Sequence, residues 1–132
     1  MPQPTSLFRS AGTDRTPEIV LDPEAGLLTI TGCSIPENPE RTFAPLHAAL
    51  DHYEKAPAKR TVVRIHLTYF NSSSTKYLLD LLKRLEDLHV GGTSEVLLEW
   101  CHEKGDLDMQ EAGNDYKQLL EFPTQLVEVR SE

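Results

Sequence analysis

The strongest constraint on the fold lies in residues 60–88, "RTVVRIHLTYFNSSSTKYLLDLLKRLEDL". Within this stretch the apolar period changes abruptly. Val63, Ile65, Leu67 and Tyr69 alternate with Arg64, His66 and Thr68, which is the period of a strand whose second face is less deeply covered. Leu78, Leu81, Leu82, Leu85 and Leu88 then recur at helical spacing. Lys83, Arg84, Glu86 and Asp87 fall on the outside, and Gly91 and Gly92 stop the helix. Between the two patterns stand Asn71 and four hydroxyl residues in a row, Ser72, Ser73, Ser74 and Thr75. A helix needs one such residue as a cap.

The remaining segments extend the same alternation. Ile19–Leu21 and Leu27–Thr31 flank the turn residues Asp22, Pro23 and Gly26, which predicts a hairpin. Asn38 before Pro39 suits an N-cap with proline at the first helical position. Pro45 argues for a later start of the main helix, near Thr42, because an interior proline costs about 3 kcal/mol. Leu46, Ala49, Leu50 and Tyr53 form the apolar face of that helix. "SEVLLEWCHE" predicts a strand, with Trp100 as core. Met109, Gly113, Tyr116 and Leu120 share a helical face, and "TQLVEV" is a last short strand.

The expected order is β-β-α-β-α-β-α-β. Strands that alternate with helices are parallel neighbours joined by right-handed crossovers. The fold class is therefore α/β: a mixed, mostly parallel sheet with an N-terminal hairpin and helices mainly on one face. Residues 1–16, rich in Pro, Ser, Gly and Thr without period, read as a flexible tail, and residues 17–130 as one domain.

Charge narrows the function. Twenty-one acids against 13 bases give a net charge of −8. That argues against nucleic acid and anionic membrane surfaces as partners, because both are bound through Lys and Arg. No secretory leader or long apolar run appears, which suits a cytoplasmic protein with Cys33 and Cys101 as free thiols.

Catalytic and cofactor motifs are missing. There is no nucleophile elbow around the serines, no phosphate-cradling glycine loop, and no convergent set of histidines. Asp106 and Asp108 begin like a calcium loop but lack its glycine and its closing glutamate. His102 beside Cys101 on a strand points to the opposite face. The chain is expected to hold no metal or cofactor and to be no enzyme. A small hydrolase using Ser72 or Cys101 is the alternative of that kind. The hydroxyl run itself has a structural reading, a cap with an exposed first turn, and a functional one. A phosphoserine there would add about −1.5 to −2 charge to an exposed rim, and a partner docking on that rim would be repelled or recruited.

Three ordered blocks carry a resemblance. "TPEIVLDPEAGLLTITGCSIPEN", "YFNSSSTKYLLDLLKRLE" and "DMQEAGNDYKQLLEFP" together resemble the SiaC family of small bacterial regulators, over Thr16 to Pro123. The family is similar in fold to STAS-type anti-sigma-factor antagonists. The resemblance implies a partner-switching protein whose serine/threonine kinase phosphorylates the residue after the Asn of the Tyr-x-Asn segment, and whose PP2C-type phosphatase reverses this. It implies that the unphosphorylated form binds and activates a diguanylate cyclase, raising cyclic di-GMP and favouring biofilm. Ser72 takes the phosphoacceptor place, with Ser73 as second candidate. Asn71 would orient the turn, and Ser73 and Ser74 would help cap the helix. Tyr69, Phe70, Asn71 and Ser73, with Pro36, Glu37 and Asn38 of the Ser-x-Pro-Glu-Asn loop, are the partner-contact candidates. Ile35 stands where many relatives have an aromatic residue, and Ser72 where the best-known type has Thr. An anti-sigma-factor antagonist acting on transcription is the alternative client reading.

Overall fold

The computed structural model describes residues 7–130. Six strands form one sheet in sequential order. They are β1 (Phe8–Ser10), β2 (Glu18–Asp22), β3 (Leu27–Ser34), β4 (Arg60–Phe70), β5 (Glu95–Glu103) and β6 (Thr124–Val129). The helices α1 (Pro39–Tyr53), α2 (Ser72–Val90) and α3 (Leu107–Leu119) fill the three crossovers between β3 and β6. β1, β2 and β3 pair antiparallel, and β3, β4, β5 and β6 pair parallel. Right-handed crossovers that always step in the same direction place every helix on the same side. The core lies between that side and the helices. Leu28, Val63 and Leu98 stand in register, as do Ile30, Ile65 and Trp100, and all are buried. The other face is polar at its centre, where Arg64 pairs with Glu99 at 2.8 Å.

Three expectations need correction. The tail expected over residues 1–16 includes an edge strand, because Phe8, Arg9 and Ser10 pair with Leu21, Val20 and Ile19. Residues 1–6 of that tail lie outside the described residues. α1 starts at Pro39 rather than near Thr42, with Asn38 as its cap. Pro45 is an interior helical residue but an exposed one, so the carbonyl of Arg41 that lacks its N–H partner faces water. Phe43 and Leu46, on the opposite flank, are buried.

The third correction concerns β4. Gly32 pairs with Leu67 and Cys33 pairs with Tyr69, so Thr68 is an extra residue opposite the Gly32–Cys33 link. Gly32 adopts φ 115°, a conformation that suits glycine, and Thr68 donates to its carbonyl at 3.2 Å. The bulge reverses the alternation. Tyr69, expected inward with Leu67, is 58% exposed. Phe70 turns in instead and meets Trp100 edge-on at 5.9 Å.

Candidate functional site at the strand-to-helix junction

The C-terminal ends of β3, β4 and β5 lie side by side, so the residues that follow them share one edge of the molecule. In parallel α/β sheets this edge is where ligands and partners are usually met. Here it carries the Ser34–Asn38 loop, the Asn71–Thr75 turn and the start of α3.

Asn71 is the N-cap of α2, in an extended conformation with φ −92° and ψ 173°. Its side-chain oxygen accepts from the Ser74 amide at 3.1 Å and from the Ser73 hydroxyl at 2.8 Å. Thr75 donates to the Asn71 carbonyl at 3.4 Å. Ser74 is fully buried rather than part of an exposed first turn. Its hydroxyl donates to the Ser34 carbonyl at 2.9 Å and lies 2.9 Å from the Ser34 hydroxyl. A hydroxyl has one proton to give, so Ser34 is the donor within the pair. Three of the four hydroxyls are thus engaged. Ser72 is exposed and makes no side-chain hydrogen bond among the described residues.

Ser34 also accepts from the Asn71 amide at 3.2 Å, which ties the two loops together. Beyond it, Ile35 donates its amide to the Arg15 carbonyl at 2.7 Å. Glu37 is exposed and pairs with Arg15 at 3.4 Å. The Asn38 side chain caps α1 by accepting from the Arg41 amide at 3.0 Å. Pro36 is buried and offers little surface to a partner. A shallow recess of about 400 Å³ opens here, lined by Arg15, Glu37, Asn38 and Arg41 among others.

On the other flank, Tyr69, Phe70, Asp106, Asp108 and Met109 line a recess of about 230 Å³. Asp106 caps α3, accepting from the Met109 amide at 3.1 Å. Tyr116 of α3 reaches back and donates to the Thr75 carbonyl at 3.1 Å. Burial pushes its phenol up to about 12. The buried Ser34–Ser74 pair and the Tyr116–Thr75 bond were not legible in the sequence, since each joins residues some forty apart.

Among the described residues, the cysteines and histidines form no second centre. Cys101 is buried, and its thiol is pushed up by desolvation and by Glu99. His102, its neighbour, is buried on the opposite face of β5 and interacts with the Glu103 carbonyl at 3.2 Å. An unactivated thiol of this kind is a poor nucleophile. Among the described residues no three His, Cys, Asp or Glu side chains converge to hold a metal ion, and no helix is long and apolar enough to cross a membrane.

The molecule is thus a one-sided α/β sheet whose C-terminal edge ends in a capped turn, with the Ser72 hydroxyl exposed on its rim. The chain belongs to the SiaC family of regulatory phosphoproteins, whose profile matches residues 10–129. It is 30% identical over 112 residues to an uncharacterized protein of Pseudomonas aeruginosa, covering 85% of this chain and 88% of the relative. It is similar to SiaC of P. aeruginosa as solved in complex with the diguanylate cyclase SiaD, which SiaC activates. That match has a TM-score of 0.86 and 28% identity, and covers 92% of this chain and 99% of the other. It is also similar to apo-SiaC of P. aeruginosa, with a TM-score of 0.83 and 29% identity, over 92% and 98% of the two chains.

Proposed function

We propose that this chain is a cytoplasmic, phosphorylation-gated partner switch that binds and activates a diguanylate cyclase while Ser72 is unphosphorylated. It would thereby feed cyclic di-GMP signalling and biofilm formation. The observation that carries this reading is the state of Ser72. It is the one hydroxyl of the run that is exposed and has no hydrogen-bond partner. The solved complex of a SiaC with a diguanylate cyclase supports the choice of client.

The chemistry is simple. A serine/threonine kinase directs the Ser72 oxygen onto the γ-phosphorus of ATP. The bond to the bridging oxygen breaks, ADP leaves, and the hydroxyl proton passes to the kinase's base. A PP2C-type phosphatase returns the hydroxyl by hydrolysis and releases inorganic phosphate. The gate is electrostatic. Tyr69 and the Glu37–Asn38 loop flank Ser72 as partner contacts. A phosphate buried against apolar or acidic partner groups costs several kcal/mol unless it is paired. A difference of about 3 kcal/mol shifts affinity more than a hundredfold.

The test combines mapping with a client assay. Phosphopeptide mapping after incubation with ATP and a lysate of the source organism should place the phosphate on Ser72 and find none there in Ser72→Ala. Ser72→Ala protein should capture a diguanylate cyclase of that organism and raise cyclic di-GMP, whereas a phosphoserine at position 72 should not. Phosphate mapped to Ser73 alone, or equal cyclase capture by both forms, overturns the reading. Capture of an anti-sigma factor in place of a cyclase would transfer the same switch to transcription.

A further inference from the structure

We infer that Lys76 is a positioning residue for the phosphoryl group on Ser72, holding it against the outer flank of α2. The inference rests on the reading of Ser72 as the acceptor.

Three observations converge on Lys76. The first is spacing. Ser72 opens α2 and Lys76 follows four residues later on the same helix. Residues at this separation lie one above the other, and an anion placed N-terminal to a cation is the favourable order. Helical side chains also lean toward the N-terminus, so the lysine stem points back over the first turn.

The second is occupancy. α2 contains three Lys or Arg residues. Lys83 pairs with Glu86 at 3.3 Å and donates to the Leu119 carbonyl at 2.7 Å. Arg84 pairs with Glu54 and Asp51 of α1. Lys76 is exposed and forms no ion pair among the described residues, although Asp80 lies one turn further along. The third is the acceptor turn itself, whose first turn carries no acidic side chain. The positive end of α2 therefore has no counter-charge there until a phosphate arrives.

The remaining charged groups of this edge act against one another. Glu37, Asp106 and Asp108 disfavour a second negative charge on the phosphate, while Arg15 and Arg41 favour it. Lys76 is the cation on the acceptor's own helix face. A phosphate paired there leaves the Asn71 cap and the Ser34–Ser74 contact undisturbed. Phosphorylation then changes the charge that a partner meets without unwinding the first turn. This is the behaviour expected of a gate that works at the surface.

The test uses the full chain with phosphoserine installed at position 72 by genetic encoding, so no kinase is required. A 31P NMR titration follows the second ionisation of the phosphate. Lys76→Ala should raise its pKa by about 0.3 unit, the size of one i,i+4 ion pair. Lys76→Arg should keep the value of the unsubstituted chain. An unchanged value in Lys76→Ala, or an equal rise in Lys76→Arg, overturns the pairing. Neither result bears on whether a kinase chooses Ser72. That question is decided by the mapping experiment, so the two failures are separable.

Discussion

Ser34 and Ser74 are 40 residues apart in the chain, yet their hydroxyls meet at 2.9 Å in a fully buried site. Ser74 also donates to the carbonyl of Ser34, whose same oxygen accepts from the amide of Asn71. The end of β3 and the start of α2 are thereby fastened at three points. The start of the Ser34–Asn38 loop is therefore held beside the Asn71–Thr75 turn.

Ser74→Ala should expose the importance of this fastening. The Ser34 hydroxyl would lose its acceptor while remaining buried, which costs about 1–3 kcal/mol. Urea unfolding should report that loss. Removing both hydroxyls should cost less than the sum of the single changes, because neither is then left unpaired. Phosphate incorporation at Ser72 should persist in Ser74→Ala, since the Ser72 hydroxyl takes no part in the pair.

Tyr116 makes a second long-range tie, from α3 to the carbonyl of Thr75. Tyr116→Phe should lower stability by about 0.5–1.5 kcal/mol, the net value of one neutral hydrogen bond. Absorbance titration offers an independent check. The Tyr116 phenol is raised to about 12, first by burial. A raised acid gives stability that is present below the ordinary value near 10 and is lost as pH climbs through 12. The substituted protein should lack this late-ionising tyrosine and the matching alkaline loss of stability.

The contrast between these ties and α2 shows what a sequence carries in legible form. The leucine spacing of α2 and the alternation of Val63, Ile65 and Leu67 are local, so they identify a strand and a helix without reference to the rest of the chain. The bulge at Thr68 is decided by Gly32 on the neighbouring strand, and it alone reverses Tyr69 and Phe70. The same holds for Ser74, which reads as one more rim hydroxyl until Ser34 is brought beside it. β1 is three residues long and forms only by joining an existing edge, so it has no period to detect. Asn71 was legible because a cap is a local feature. Ser72 stood out only through the likeness to the family, since burial and bonding separate it from Ser73 and Ser74.

Gly113 is fixed by packing rather than by backbone freedom. A Cβ at this position would stand 2.9 Å from both Cγ and Nε1 of Trp100. The indole has little room to retreat. It is fully buried, donates to the Met109 carbonyl at 2.9 Å, and lies 5.1 Å from the Tyr116 ring. Gly113→Ala should therefore destabilise the fold by about 1–3 kcal/mol despite the better helix propensity of alanine. A shift in tryptophan emission should accompany the loss, since Trp100 is the only tryptophan.

His47 supplies a pH dependence whose sign follows from its contact with Arg84. The guanidinium bridges α1 and α2, donating to Glu54, to Asp51, to the His47 carbonyl at 3.2 Å and to His47 Nδ1 at 2.9 Å. Arginine has no acceptor, so Nδ1 must carry a lone pair and the ring must be neutral. Partial burial and the adjacent Arg84 charge lower the His47 pKa from 6.5, outweighing Asp51, Asp80 and Glu54, which pull it up. A group whose folded pKa lies below its unfolded value contributes stability that is fully present above the unfolded value. That stability is lost as pH falls through the folded pKa. Urea unfolding should therefore show the protein weakening as pH drops from 7.5 to 5.5. Gln at position 47 can accept the same hydrogen bond but cannot take up a proton, so His47→Gln should show a shallower decline. An equal slope in the two proteins would mean that the Arg84–His47 contact is absent in solution.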